Sequence, residues 1–167
     1  MPYGFDMTNS PEQIERHGDV ERPAILLSTS GTRLICGAPM QSMYPACLRN
    51  FTAQAQFLVG VHERVAIIGA GARNEFREED AICCAWIAGV LVEQGFRTGD
   101  QFTHEQIERW RGVDLEVIRQ GKSARYLYDT GQTADLEYVL EHVDDLKDVY
   151  VLRGGEIVTV REAARAA

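Results

Sequence analysis

Apolar and polar positions fall into short blocks in the first half of the chain and into helical stripes in the second. Val65-Ala66-Ile67-Ile68 is an unbroken apolar run of strand length, the pattern of a strand buried on both faces, as in a parallel sheet. Ala24-Ile25-Leu26-Leu27 repeats the pattern. Residues 43–48 form a third, weaker strand candidate, because Pro45 is awkward inside a ladder. Each run leads into a helical segment. Arg33 to Ala38 reads as a brief helix ended by Pro39. Asn50 caps a helix running to Val61 with Phe51, Ala55, Leu58 and Val59 on one stripe. Residues 81–94 form a long apolar helix stopped by Gly95. An earlier helix begins at Ser10-Pro11, with Ser10 as N-cap and Gln13 completing a capping box, and ends at His17-Gly18. His17 then reads as a helix C-terminal cation or, less simply, as a base.

Strand followed by helix three times over predicts an α/β fold: a three-layer sandwich with a mainly parallel sheet. The runs at 24–27 and 65–68 are expected side by side or one strand apart. After Gly95 the period becomes helical. Residues 104–120 predict one amphipathic helix, open to a break near Gly112, and 122–128 and 133–142 predict two more. Two β-rich runs around Gly154-Gly155 predict a closing hairpin, and the final alanine-rich piece a frayed helix. The second half is thus helical, and 1–167 is expected to be one domain.

Composition narrows the functional classes. The 167 residues are 45% apolar and 25% charged, ordinary for a soluble globular protein. A net charge of −8 argues against nucleic-acid and anionic-membrane partners. No apolar run approaches membrane-spanning length and Met1-Pro2-Tyr3-Gly4 is no signal peptide, so the expected place is the cytoplasm. Cys36, Cys47, Cys83 and Cys84 lack zinc-like spacing and read as reduced thiols in or near the core, with a vicinal Cys83-Cys84 redox pair as the alternative.

Two loops carry candidate chemistry. Ser28-Thr29-Ser30-Gly31-Thr32 lies between a strand and a helix, where hydroxyls and converging amides can cradle an anion, with Arg33 adding charge. A plain helix cap is the alternative. Gly69-Ala70-Gly71-Ala72 lets backbone amides turn towards a ligand, Arg73 can balance charge, and Asn74 tolerates the left-handed region. Glu78-Glu79-Asp80 then either suits the dipole of the following helix or seats a divalent cation. In a parallel sheet both loops end strands on the same side and can face one site.

Read in order, Gly4-Phe5-Asp6, Asn9-Ser10-Pro11, Ser28 to Thr32, Asn50, Ala70-Gly71, Phe76, Glu79-Asp80, Gly89, Ser123, Leu127, Gly131 and Asp135 resemble the 2-phosphosulfolactate phosphatase family over nearly the whole chain. That resemblance implies a magnesium-dependent phosphatase of a small anionic metabolite. Its site would use Asp80 and Glu79 for catalysis and metal. Asn9, Ser10, Ser28, Thr29, Ser30, Gly31, Thr32, Asn50, Gly71 and Arg73 would bind substrate. The chain departs from the family at Thr8, Ser30 and Asn74, where glycine, asparagine and glycine are usual. Family members extend further at the front, so the expected protein is a homo-oligomer, or one completed by a companion chain supplying the missing strands. A diverged enzyme acting on another small acidic metabolite and a non-catalytic subunit keeping the fold are the alternatives.

Overall fold

The computed structural model describes residues 3–18, 21, 23–26, 28, 30–37, 43–72 and 75–165. Its elements run α1 (Pro11–His17), α2 (Gly31–Gly37), α3 (Phe51–Val59), α4 (Glu78–Glu93), α5 (Gln101–Trp110), α6 (Glu116–Arg119), α7 (Lys122–Asp129), α8 (Thr133–Glu141), β1 (Tyr150–Arg153), β2 (Glu156–Thr159) and α9 (Val160–Arg165).

Helix α4 is the centre. Three acids fill its first turn, where the dipole favours them, and of its sixteen residues only Glu93 is exposed. A helix apolar on all sides must be covered on all sides. One flank carries Ile82 and Ala85 into a cluster with Leu48, Trp110, Ile118, Ala124 and Leu136, and so faces α5 to α8. The other carries Ile87 and Leu91 against Ala55 and Leu58 of α3, with Val65 and Ile67 packed alongside. The Trp86 indole N–H donates to the Trp110 carbonyl at 2.9 Å and ties α4 to the end of α5.

Local signals place the boundaries. Ser10 caps α1 by accepting from the Gln13 amide, Pro11 opens it, and Gly18 closes it at φ 65°. The expected single helix over 104–120 is two, α5 and α6, because Gly112 turns the chain at φ 60° between them. Helix α2 begins at Gly31, two residues before the expected start, while Ala38 and Pro39 lie outside the described residues. Residues β1 and β2 pair antiparallel from Tyr150 with Thr159 to Arg153 with Glu156, with positive φ at both Gly154 and Gly155, as a two-residue turn of that hand requires.

The α/β class, the helical second half and the closing hairpin are present; the parallel sheet of the expected three-layer sandwich is not. Among the described residues the hairpin is the only sheet. Residues 65–68 keep a strand's period of two, with Val65 and Ile67 half-buried on α3 and α4 and Ala66 and Ile68 exposed, yet they join no ladder. Residues 23–26 are also unladdered, with Ile25 86% exposed. Leu27 lies outside the described residues. The physical reason is that an apolar run specifies a strand only together with neighbours that bond its two edges, and none pairs with these runs among the described residues. Residues 43–47 likewise form no ladder, although the Met43 carbonyl accepts from the Leu152 amide at 2.9 Å. The thiols also differ from expectation: all four are free, but Cys36 and Cys47 are exposed rather than in the core.

Candidate functional site

The glycine turn and the acidic step are one hydrogen-bonded unit. Gly71 has φ 61°, and a Cβ there would lie 2.9 Å from the Glu75 carbonyl oxygen, so no other residue fits. Its amide donates to Asp80 Oδ2 at 2.6 Å. Ala72 and Glu75 exchange backbone hydrogen bonds of 3.1 and 2.9 Å across a return turn whose tip, Arg73 and Asn74, lies outside the described residues. Neighbouring carboxylates point apart, as a helix requires of successive residues. Asp80 faces the glycines, while Glu79 Oε1 accepts from the Ser123 hydroxyl at the start of α7. Glu79 Oε2 and Glu78 Oε2 are buried without a partner. At the turn's outer side Lys122 and Arg77 hold the Glu75 carboxyl below the usual range, Lys122 through a hydrogen bond of 3.0 Å.

The hydroxyl loop is similarly self-contained. Thr32 donates its hydroxyl to the Ser28 carbonyl at 2.6 Å, and the Arg33 and Leu34 amides donate to the Ser30 carbonyl at 3.2 and 3.4 Å. Thr32 and Arg33 are exposed, and Thr29 lies outside the described residues. A groove of about 740 Å³ is lined by Gly31 at the head of α2, by Gly69 and Ala70 of the glycine turn and by Glu79 and Asp80 at the head of α4; Ser28, Ser30 and Thr32 of the hydroxyl loop do not line it. Gly71 instead lines a second groove of about 770 Å³, which shares Asp80. Asp80 therefore stands between them.

The remaining expected site residues are elsewhere. Asn9 is exposed and lines neither groove. Ser10 is 1% exposed, accepts from Gln13 and donates to Asp135 Oδ1 at 2.5 Å, which pins α1 to α8. Asn50, also 1% exposed, accepts from the Cys47 amide at 2.9 Å and donates to the Asp148 carbonyl at 3.2 Å, joining the head of α3 to the approach to β1. Both side chains are committed to the fold.

Sequence reasoning passed over three features of the first groove. Gln54 lines it, 1% exposed, with neither its amide nitrogen nor its carbonyl oxygen partnered. Burying such a group without a partner costs about 1–3 kcal/mol. The signal was available: Gln54 is polar one turn before Leu58, on the apolar stripe of α3. Tyr44 and His62 share a 2.8 Å hydrogen bond at the rim, and Arg64 lines the groove beside them. Cys83 lines it too, but burial pushes its thiol up to about 12, so it is no nucleophile at neutral pH.

No group of three or more His, Cys, Asp or Glu side chains suited to a metal ion occurs among the described residues. The donors present fit a narrower case. Magnesium keeps most of its waters and takes one or two protein carboxylates, and Asp80, which lines the groove and faces the glycines, fits as one such ligand, whereas Glu79 is turned to Ser123.

A profile of the 2-phosphosulpholactate phosphatase family matches residues 1–155. The chain belongs to that family. A protein of Pseudothermotoga lettingae named probable 2-phosphosulfolactate phosphatase is 30% identical, over 82% of this chain and 60% of its own length. One of Clostridium perfringens with the same name is 26% identical over 97% of this chain and 66% of its own. The 2-phosphosulfolactate phosphatase of Methanothermobacter thermautotrophicus is 27% identical over 97% and 69%. The chain thus spans about two thirds, or less, of the length of the curated relatives it matches. The family match covers both loops of the groove, α4 and the Ser123 contact. No helix among the described residues is long and apolar enough to cross a membrane.

Proposed function

We propose that the chain is a magnesium-dependent phosphatase of a small acidic phosphomonoester, of the 2-phosphosulfolactate class named for its relatives. One observation carries the reading: the head of α2 and the carboxylates of α4 line a single groove. Hydrolysis of a phosphomonoester needs charge neutralised on the transferring group and donors fixed around its oxygens. Ser28, Thr29, Ser30, Thr32 and the amides near Gly31 hold the phosphoryl or acid oxygens, and Arg33 or Arg73 balances charge. Asp80, fixed by the Gly71 amide, would hold the metal directly, and Glu79, fixed by Ser123, would act through water. Bound magnesium supplies charge neutralisation and a more acidic water as nucleophile. Ser10 and Asn50 act on this site only through the fold, by holding α1 and the head of α3 in place. The protein works in the cytoplasm as an assembly, with itself or with a companion chain, that gives the unladdered runs at 23–26 and 65–68 their neighbours.

Asp80→Asn tests the assignment. It removes charge while leaving an oxygen to accept from Gly71. Turnover of a generic phosphomonoester should fall about 10²–10³-fold, with magnesium binding weakened in calorimetry. Metal binding and turnover both intact would place the site elsewhere.

A further inference from the structure

The first groove is also the lane beside residues 65–70, and it combines features that an enclosed fold would not leave together. Residues 65–68 along it have the side-chain alternation of a strand and, among the described residues, no ladder. Its wall is apolar at Leu58 and Ile87, yet holds the fully buried, unpartnered carboxamide of Gln54. An apolar strand laid along the lane would bond the free edge.

The chain holds such a strand unused. Residues 23–26 are apolar, belong to no ladder and are exposed, Ile25 by 86% and Leu26 by 59%. Side chains so exposed are not in their own molecule's lane. They lie five to eight residues before Gly31, which lines the groove's rim, so the segment is tethered next to a lane it does not fill. A free strand and an empty lane on the same chain are reciprocal when two chains meet.

We propose that two copies of this chain exchange residues 23–26, each strand entering the partner copy's lane between residues 43–47 and 64–70, to give a closed two-fold dimer. The exchange deepens the assembly proposed above and rests on it, choosing a second copy over a companion chain. It buries Ile25 and Leu26 and removes two free edges at once.

The test is the mass of the full chain by light scattering at micromolar concentration, together with amide hydrogen exchange at residues 66–68. Two chain masses are expected, with those amides protected. Ile25→Lys should raise the dimer Kd by about 100-fold and expose the amides, with far-ultraviolet circular dichroism unchanged. A single-chain mass for the unaltered protein overturns the exchange, as does a two-chain mass that Ile25→Lys leaves intact. Association only with a different polypeptide overturns it as well. None of these readouts uses substrate, so the exchange can fail while the phosphatase reading stands, and the reverse.

Discussion

The two flanks of α4 differ in how completely they are closed. Towards α5 to α8 the core groups close on one another: Ile82, Trp110, Ile118 and Leu136 are each at most 4% exposed. Towards the front of the chain, α3 covers Ile87 and Leu91, but residues 65–70 lie over it with open edges and Ile68 is 67% exposed. Helices satisfy their backbone within themselves, so a helical flank closes with side chains alone. A strand's backbone needs a neighbour. The candidate chemistry borders the flank that needs one: Gly31, Gly69, Ala70, Glu79, Asp80 and Gln54 line the open groove.

The largest effect that can sharpen this contrast is on the closed flank. Ile82→Ala removes a side chain with no exposed surface and should cost about 2–5 kcal/mol in denaturant unfolding. A loss below 1 kcal/mol would mean that the helical flank is not the stable one. On the open flank, the double change Thr29→Val, Thr32→Val takes hydroxyls from the proposed cradle while keeping shape. It should lower kcat/KM about 10²–10³-fold with little loss of stability, and unchanged kinetics would remove the cradle from the site.

Cys83 lies at the border of the two flanks and adds a pH dependence. Its folded thiol titrates near 12 against 9.0 for the free group, first because of burial and then because of Cys84. The folded pKa is raised, so the contribution is complete below pH 9 and is lost as pH rises from 9 towards 12. The stability difference between the protein and Cys83→Ala should therefore shrink by about 1.4 kcal/mol per pH unit in that window. A constant difference would show a thiol as open to water as the rest of the groove. The smallest effect belongs to the open face. Ile68→Ala should change stability by no more than about 0.5 kcal/mol, because its side chain lies on the outer face whether or not the lane beside it is filled.

What was legible in the sequence was local. Ser10-Pro11, Gly95 and Gly154-Gly155 mark element ends because caps and turns are set by the residues that form them. The helices of the second half follow from stripes of period 3.6, apart from the break at Gly112. Strand pairing is not local, so the runs at 24–27 and 65–68 could be read as strands while their partners could not. The same limit applies to the site. Ser10 and Asn50 stand out as polar residues at element heads, and nothing nearby distinguishes a ligand contact from the bonds they make to Asp135 and Asp148, more than ninety residues away. Asp80 and Glu79 were legible as a pair, and their divergence followed from helix geometry. Their partners, Gly71 and Ser123, were visible only as separate motifs.

Phosphate release from 2-phosphosulfolactate by the purified chain, with magnesium and after its removal by chelation, tests the central claim most directly. The account predicts turnover that stops on chelation, returns with magnesium, and falls about 10²–10³-fold in Asp80→Asn. Turnover that persists without magnesium and survives that substitution, or no turnover by the fully assembled protein, would contradict it.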